Sequence, residues 1–301
     1  MVSALIARAK TVAFQGEKGA YANLAARKAV PHAEAVPKAT FETALESVRG
    51  GETDLAIIPV ENSVYGRIAD VHFLVRHFGR PVKGYVPENG RKSLFILGEH
   101  FHRVRHQLLG LKGAKLSGVK TVYSQGPALG QCRKIIKELG LADKQWSDTA
   151  GAARHVAALK DPTASAIASS LAGEIYGLAV LRADVEDEPH NMTRFLIIGA
   201  EPDDAPNDGG PVISTFLFGV RNVPAALYKA LGGFATNGVN MTKLESYQLG
   251  GSFNATEFYA DIEGHPDARP VRLALEELQF FSSKIVMLGV YPAHPYRGEM
   301  P

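Results

Sequence analysis

Thr193 and Arg194 stand directly before an apolar run in the stretch NMTRFLII, residues 191–198. The run from Phe195 to Ile198 has the length and composition of a buried strand. Ligands of α/β proteins commonly bind where strands of the sheet end. A guanidinium at such an end can bind a carboxylate through two hydrogen bonds, and a neighbouring hydroxyl can donate one more. The pair therefore predicts a site for a small carboxylate, although a solvated strand end would have a similar sequence.

Small polar residues also occur at other junctions between a predicted strand and a predicted helix. They are Gly19-Ala20, residues 61–63 (ENS), Ser124-Gln125, Asp148-Thr149 and Ser169-Ser170. Taken singly, each is best explained as a helix cap. Together they imply several helix N-termini directed at one cleft, where backbone N–H groups and helix dipoles attract an anion. Such a receptor requires no cofactor.

Other kinds of chemistry find less support. His100, His102 and His106 are close in sequence, but no further ligands follow at a familiar metal spacing, so we predict no metal site. The chain has no G-x-S-x-G motif, and its single cysteine, Cys132, fits a buried thiol on an amphipathic helix. The glycine-rich residues 14–21 (FQGEKGAY) match neither a dinucleotide-binding loop nor a P-loop.

Composition excludes several classes of partner. The 301 residues carry a formal net charge of +2, and 46% of them are hydrophobic. Without a basic tract, nucleic acid and anionic membranes are not expected as partners. Arg8 and Lys10 interrupt the apolar residues of the N-terminus, and no stretch approaches the length of a membrane span. We therefore expect a cytoplasmic protein.

The elements that must position these residues follow two different patterns. Residues 11–199 alternate short β-branched runs with helical patterns, which predicts parallel sheets covered on both faces. A turn-rich segment at 87–93 suggests a hinge between two α/β lobes, with ligands bound in the cleft between them. We assign lobe one to about 10–88 and 175–200, and lobe two to about 89–174.

The second pattern begins after the acidic, proline- and glycine-rich segment 201–211, which we predict to be a linker. Residues 212–301 contain strand and helix patterns in the order βαββαβ, which is typical of a ferredoxin-like unit.

Five sequence blocks follow one another in the order FQGEKGAYAN, PVENSVYGRI, SDTAGAARHVA, AIASSLAGEIYGL and VEDEPHNMTRF. In this order they resemble the successive blocks of prephenate dehydratases, and TKLES inside the βαββαβ unit resembles the ACT regulatory domain of these enzymes. The resemblance covers about residues 11–290. It implies a two-lobed, periplasmic-binding-protein-like catalytic region at 1–200 and an ACT domain at 212–301.

The resemblance also implies an activity. Such enzymes convert prephenate to phenylpyruvate with loss of water and carbon dioxide, in phenylalanine biosynthesis, without a metal or an organic cofactor. Thr193 and Arg194 would be catalytic, with Thr193 donating to the departing hydroxyl and Arg194 binding a carboxylate. Glu61 could be structural or a proton source. The implied substrate-binding residues are Asn62, Ser63, Ser124, Gln125, Thr149 and Phe195.

In relatives, L-phenylalanine binds between two ACT domains, which implies a homodimer or homotetramer here. The corresponding residues are Ala225, Ala226, Leu227, Asn240, Glu245 and Ser246. Some blocks depart from the family pattern. The family's Gly-Ala-Leu is replaced at 225–227 by Ala-Ala-Leu, its Glu-Ser-Arg-Pro at 245–248 by Glu-Ser-Tyr-Gln, and its Ser-His-Pro-Gln at 124–127 by Ser-Gln-Gly-Pro.

Three alternatives remain at the level of sequence. Arogenate, which has an amino acid side chain where prephenate has a keto acid, could be the substrate. A two-lobed protein that only binds small carboxylates would have a similar cleft. A regulatory ACT sensor with an inactive catalytic region is a third alternative, against which the intact Thr193-Arg194-Phe195 motif argues.

Overall fold

The computed structural model describes residues 3–83, 92–221, 223–248 and 255–299. The strands are β1 (Thr11–Gln15), β2 (Glu34–Lys38), β3 (Leu55–Asn62), β4 (Gly66–Arg67), β5 (Arg80–Lys83), β6 (Phe95–Arg103), β7 (Gln107–Leu111), β8 (Thr121–Ser124), β9 (Ala142–Gln145), β10 (Ala164–Ala168), β11 (Leu178–Arg182), β12 (Met192–Gly199), β13 (Val212–Val220), β14 (Met241–Gln248), β15 (Ala255–Glu263) and β16 (Ser282–Pro292). The helices are α1 (Ala4–Arg8), α2 (Tyr21–Ala29), α3 (Phe41–Arg49), α4 (Ala69–Val75), α5 (Gly126–Gly130), α6 (Arg133–Glu138), α7 (Thr149–Leu159), α8 (Ser170–Tyr176), α9 (Ala226–Thr236) and α10 (Arg269–Phe281).

The first sheet has the strand order β2-β1-β3-β12-β6, with β4 paired to β3. Strands β1, β2 and β3 are parallel, whereas β12 runs antiparallel to both β3 and β6. The sheet is therefore mixed: the predicted parallel pairing holds for β1, β2 and β3 and is wrong for β12 and β6. Because β6 pairs with β12 along its length, residues 95–103 belong to this sheet and not to lobe two. The predicted boundary between residues 88 and 89 lies outside the described residues.

The second sheet has the strand order β11-β7-β10-β8-β9. Strands β8, β9 and β10 are parallel, and β7 and β11 are antiparallel additions at one side. The sequence predicts residues 178–182 in lobe one, but β11 pairs with β7 in this second sheet. Short alanine-rich stretches of α7 and β10 pack together in its core, and their small side chains allow the helix to lie close to the sheet.

The third sheet contains the predicted βαββαβ unit, formed by β13, α9, β14, β15, α10 and β16. Its strand order is β14-β15-β13-β16, and β5 from the N-terminal half pairs with the free edge of β16. All nine residues of β13 are buried, because helices α9 and α10 cover one face of the sheet and the first sheet covers the other. A strand covered on both faces loses the alternation of polar and apolar residues.

The first and third sheets share one hydrophobic core, which includes Ile58 and Leu196 of the first and Leu217 and Val286 of the third. The two sheets approach each other closely at Gly289 of β16, where an added Cβ atom would lie 2.1 Å from the carbonyl oxygen of Ile96. Only glycine permits this approach. The third sheet is thus held against the strands that carry Thr193 and Asn62. In the part of the chain described, no helix combines the length and apolar character needed to cross a membrane.

Candidate active site

A cavity of about 520 Å³ lies between the first and second sheets. It is formed where β1, β3 and β8 end and where β12 begins, the edge at which α/β sheets usually bind ligands. Its lining residues are Gln15, Gly16, Ala20, Tyr21, Ala22, Phe41, Pro59, Asn62, Tyr65, Arg67, Ile68, Asp70, Val104, His106, Gln125, Pro127, Ala128, Gln131, Ser147, Asp148, Thr149, Thr193 and Phe195. Of the residues predicted from the sequence, the cavity brings together Asn62, Gln125, Thr149, Thr193 and Phe195.

Asn62 is oriented by the turn that follows β3. Its side-chain oxygen accepts hydrogen bonds from the backbone N–H groups of Val64 and Tyr65, both at 3.0 Å. An oxygen atom alone can accept these two bonds, so the amide nitrogen must point the other way, towards β12.

Thr193 receives a hydrogen bond from that amide. Asn62 Nδ2 lies 2.9 Å from Thr193 Oγ1 and 2.7 Å from Asn191 Oδ1. Because Nδ2 can only donate, Thr193 Oγ1 accepts this bond and keeps its own proton to donate elsewhere. Thr193 lines the cavity and is 8% exposed. Its hydroxyl is therefore a positioned donor to whatever occupies the cavity.

The hydrogen bonds continue from this pair to the other side of the cavity. Asn191 Nδ2 donates to Gln131 Oε1 at 2.8 Å, and His106 Nε2 lies 2.9 Å from the same oxygen. On its other side, His106 Nδ1 lies 2.8 Å from the Tyr21 hydroxyl. Burial lowers the pKa of His106, partly opposed by the bond to Gln131 and the charge of Glu186. With its proton on Nε2, a neutral imidazole donates to Gln131 Oε1, and its Nδ1 can accept from Tyr21, whose hydroxyl also lies 2.9 Å from the carbonyl oxygen of Arg105.

Helices α2 and α7, each of at least two turns, begin at the cavity. Ala20, Tyr21 and Ala22 begin α2, whose N-cap residue makes no side-chain capping bond. Thr149 begins α7, and there the carboxylate of Asp148 accepts from the N–H of Gly151 at 2.8 Å. Helix α2 therefore presents uncapped N–H groups to an anion, whereas the positive end of the α7 dipole is partly neutralised by the carboxylate of Asp148.

Arg194 does not lie in this cavity, and our prediction that it binds a substrate carboxylate is wrong. Side chains alternate along a strand, so Arg194 lies on the face of β12 opposite to Thr193 and Phe195. Its side chain is 3% exposed. It donates to Glu99 at 2.8 Å and Asp261 at 2.6 Å. It also donates to Glu61 and Tyr291.

These contacts place the positive charge of Arg194 between the first and third sheets. Burial alone would lower its pKa, but Asp261, Tyr291 and Glu99 hold the pKa well above its ordinary value. The guanidinium is thus permanently charged and fully engaged, with acidic partners from both sheets. It positions β12 against the third sheet.

Glu61 precedes Asn62 in β3, and its side chain lies on the opposite face of the strand. Glu61 is therefore on the same face of the sheet as Arg194, with which it pairs. Although burial raises the pKa of Glu61, the charges of Arg194 and Lys243 outweigh this effect and lower the pKa to about 2. Lys243 Nζ donates to Glu61 Oε2 at 2.6 Å. A carboxylate with this pKa holds no proton at neutral pH, so of the two roles left open for Glu61 the structural one is favoured.

Two further predicted substrate ligands are engaged elsewhere. The hydroxyl of Ser124 is fully buried and donates to the carbonyl of Ile167 at 2.6 Å, where it joins β8 to β10. The hydroxyl of Ser63 donates to the carbonyl of His190 and accepts from the N–H of Met192. Ser63 therefore fixes the segment before Thr193. Both predictions of direct substrate contact are corrected, because the local backbone uses these hydroxyl groups.

The predicted effector residues are divided between two faces of the third sheet. Ala226 and Leu227 pack with the core on the helix side. The carboxylate of Glu245 is on the opposite side, where it accepts from Lys243 and Arg67. Within one chain, the structure therefore does not bring Glu245 to residues 225–227. Asn240 and Ser246 are exposed, as is Ala225, whose φ of 62° is in the left-handed region that favours glycine.

Metal ligands are not gathered in the described ranges, where no three His, Cys, Asp or Glu side chains are placed to hold an ion. His100 and His102 are largely buried, and burial lowers the pKa of each to about 4.

Among the cavity residues that sequence reasoning missed are Tyr21, Arg67, His106 and Gln131. His106 was weighed only as a metal ligand. Arg67 and Tyr21 stand inside the blocks PVENSVYGRI and FQGEKGAYAN, so their position within a family motif was the available signal. Gln131 lies beside Cys132 on a segment that was interpreted only as an amphipathic helix.

Known proteins resemble this chain over nearly its whole length. The family model for prephenate dehydratase matches residues 12–203. A bifunctional N-acyl-homoserine lactone acylase/prephenate dehydratase from Komagataeibacter europaeus is 48% identical over 288 residues, which cover 96% of this chain and 98% of the relative. Arogenate dehydratase 2 from Petunia hybrida is 36% identical over 297 residues, covering 94% of this chain and 71% of the relative. The structure of a prephenate dehydratase in complex with L-Phe from Arthrobacter aurescens is 28% identical, with a TM-score of 0.81, and the match covers 95% of this chain and 94% of that one.

Proposed function

The chain belongs to the prephenate dehydratase family, and from that premise we propose that it converts prephenate to phenylpyruvate in phenylalanine biosynthesis. The observation that carries the proposal is the Thr193 hydroxyl at the cavity wall, held by Asn62 so that its proton is available to a ligand.

The reaction suits a site with few charged groups. When the ring carboxylate of prephenate leaves as carbon dioxide, its bonding electrons enter the ring and the bond to the ring hydroxyl breaks. The ring becomes aromatic, so the driving force belongs to the substrate. The protein has to hold two carboxylates and assist the departing hydroxide, which leaves as water once it gains a proton. A hydroxyl aimed at that oxygen stabilises the charge that develops on it.

The cavity offers matching surfaces for the rest of the molecule. Phe41, Ile68 and Phe195 provide an apolar wall for the six-membered ring. The N-terminus of α2 provides N–H groups for an anion, and Gln125 and Thr149 provide further polar groups. No step of the proposed reaction requires a metal or an organic cofactor.

The decisive experiment is an ultraviolet assay of the purified chain with prephenate. We expect phenylpyruvate to form, because the cavity has the donor and the anion-binding groups that the reaction needs. Failure to form it, with the protein folded and prephenate bound, would favour the non-catalytic carboxylate-binding alternative. Arogenate is assayed in parallel, and a higher kcat/KM for arogenate would assign the chain as an arogenate dehydratase.

A second candidate function follows from the relative in Komagataeibacter europaeus, whose name includes N-acyl-homoserine lactone acylase and whose similarity extends over both chains. The geometry favours it less. Hydrolysis of an amide by Thr193 would need a base at its hydroxyl, but the side chain that contacts this oxygen is an amide, and His106 contacts Tyr21 and Gln131 instead. Incubation with an N-acyl-homoserine lactone tests this candidate, and release of homoserine lactone would support it.

The proposal also covers the domain organisation, the regulation and the assembly of the protein. We assign residues 1–200 to the two-lobed, periplasmic-binding-protein-like catalytic region, 201–211 to the linker and 212–301 to an ACT domain. The βαββαβ order and the L-Phe complex of the relative support the last assignment. A shared effector site between two such domains would make the protein a cytoplasmic homodimer or homotetramer.

L-phenylalanine is expected to inhibit the conversion of prephenate. The effector residues proposed are Ala225, Ala226, Leu227, Asn240 and Ser246, with Glu245 on the opposite face as a contact to the catalytic region. The measurement is the initial rate against L-phenylalanine concentration, with D-phenylalanine as the control. A rate that stays constant up to millimolar L-phenylalanine would contradict the proposed regulation.

A further inference from the structure

Arg67 lies at the cavity, and none of the roles assigned above uses its positive charge. It follows Gly66 in β4 and lines the cavity. Among the described lining residues it is the only lysine or arginine, and His106 is kept neutral by burial. The Arg67 side chain is 48% exposed, in contrast to the 3% of Arg194. It therefore has the freedom to change partners.

Its present partner is a carboxylate of the third sheet. Arg67 Nη1 lies 3.3 Å from Glu245 Oε2, which is long for a charged hydrogen bond. Glu245 also accepts from Lys243, at 3.2 Å. Lys243 in turn is closer to Glu61, at 2.6 Å. Glu245 thus makes long contacts with two cations, Arg67 and Lys243. An exposed pair such as Arg67 and Glu245 contributes little stability.

A doubly negative substrate needs a positive charge in this cavity. The acidic side chains that line it are Asp70 and Asp148, and that of Asp148 is already used as the cap of α7. Without Arg67, the two carboxylates of prephenate would meet only backbone and neutral donors. A guanidinium can bind a carboxylate through two parallel hydrogen bonds, which Glu245 does not make with Arg67 here.

We propose that Arg67 binds a carboxylate of the substrate and that Glu245 of the third sheet competes for the same guanidinium. The inference rests on the proposed dehydratase function and names the charged group that Arg194 does not supply. It also gives the third sheet a direct contact with the substrate site. Any displacement of β14 that moves Glu245 away from Arg67 would then strengthen substrate binding, and a closer contact would weaken it.

The first test replaces the charge at position 67. Arg67→Gln is expected to raise the KM for prephenate about 10- to 100-fold, the effect of losing a hydrogen bond to a charged group, with a much smaller change in kcat. Arg67→Lys should lie between Arg67→Gln and the wild type. The matched control is Arg272→Gln, because Arg272 is similarly exposed and loosely paired, to Glu276 at 4.0 Å, on α10. Its KM should equal that of the wild type.

The second test concerns the competitor. Glu245→Gln should lower the KM by about two- to fivefold, the effect of removing a weak exposed ion pair. In a protein that already carries Arg67→Gln, the same change should have no effect. An equal effect in both backgrounds would overturn the competition, and a wild-type KM for Arg67→Gln would overturn the role of Arg67. Thermal unfolding of each variant verifies that the chain is folded.

These outcomes are separable from failure of the proposed function. If the wild type does not convert prephenate, the dehydratase proposal fails, and calorimetric binding of prephenate to wild type and Arg67→Gln then tests Arg67 alone. If the wild type is active and the KM of Arg67→Gln is unchanged, only the inference about Arg67 fails.

Discussion

Replacing Thr193 with valine is expected to lower kcat for prephenate by about 100- to 1000-fold, the usual effect of removing one preorganised donor from the reacting oxygen. Valine keeps the branched shape of threonine and replaces the hydroxyl with a methyl group. Asn62 Nδ2 would retain Asn191 Oδ1 at 2.7 Å and the carbonyl of Met192 at 3.3 Å as acceptors. The variant should therefore fold, and the loss should appear in kcat rather than in KM.

Thr193→Ser is the control for this experiment, because it keeps a hydroxyl on the same backbone. Its kcat should remain within about tenfold of the wild type, a modest loss that reflects the freer rotation of serine. The measurement is the initial rate of phenylpyruvate formation, with the thermal midpoint as a test of folding. Wild-type turnover by Thr193→Val would show that another group assists the departing hydroxide.

Replacing Arg194 with methionine should lower the free energy of unfolding by about 3–5 kcal/mol, the typical cost of removing one partner of a buried ionic group. Glu99 and Asp261, whose side chains are 0% exposed, would lose a charge that now lies at 2.8 Å and 2.6 Å. Arg297 still contacts Glu99, at 2.6 Å, but it is 4.0 Å from Asp261. Asp261 would therefore be the carboxylate left with least compensation. Urea unfolding measures the change.

The control for Arg194 is Arg272→Met, which removes a guanidinium from an exposed, loosely paired position. Its unfolding free energy should change by less than about 1 kcal/mol. Adding Asp261→Asn to Arg194→Met should recover part of the stability, because the uncompensated charge is then absent. A loss below about 1 kcal/mol for Arg194→Met would contradict the role assigned to this ion. At temperatures where the variant is folded, its KM should remain near that of the wild type, unlike the KM of Arg67→Gln.

The two predictions describe opposite faces of the same strands. Asn62 and Thr193 are directly opposite each other across β3 and β12, as are Glu61 and Arg194. The first pair faces the cavity and the second faces the third sheet. Because the backbone is shared, a change in the ionic contacts of one face can alter the position of the donor on the other. The shared backbone is thus a physical connection between the βαββαβ unit and the cavity, in addition to the contact between Glu245 and Arg67.

The sequence by itself determined the kinds of elements and the family. Strand and helix patterns predicted the βαββαβ order, and the motif blocks pointed to the prephenate dehydratase family, to which the chain belongs. These properties are local: hydrophobic periodicity and the order of short motifs can be read without knowledge of distant contacts. The placement of Asn62, Thr149 and Thr193 at one cavity followed from the same motifs.

Only the tertiary structure decided the direction and the partner of each polar side chain. Thr193 and Arg194 are adjacent in sequence, but side chains alternate along β12, so that Thr193 faces the cavity. Arg194 instead contacts the carboxylates of Glu99 and Asp261, which are 95 and 67 residues away. The sequence does not reveal that the hydroxyl of Ser124 is used by the backbone, because its acceptor, the carbonyl of Ile167, is 43 residues distant. The partner of Arg67 is equally hidden in the sequence, because Glu245 lies 178 residues further along the chain. A motif shows which chemical groups are present, whereas contacts between remote strands determine which of them are free to bind a ligand.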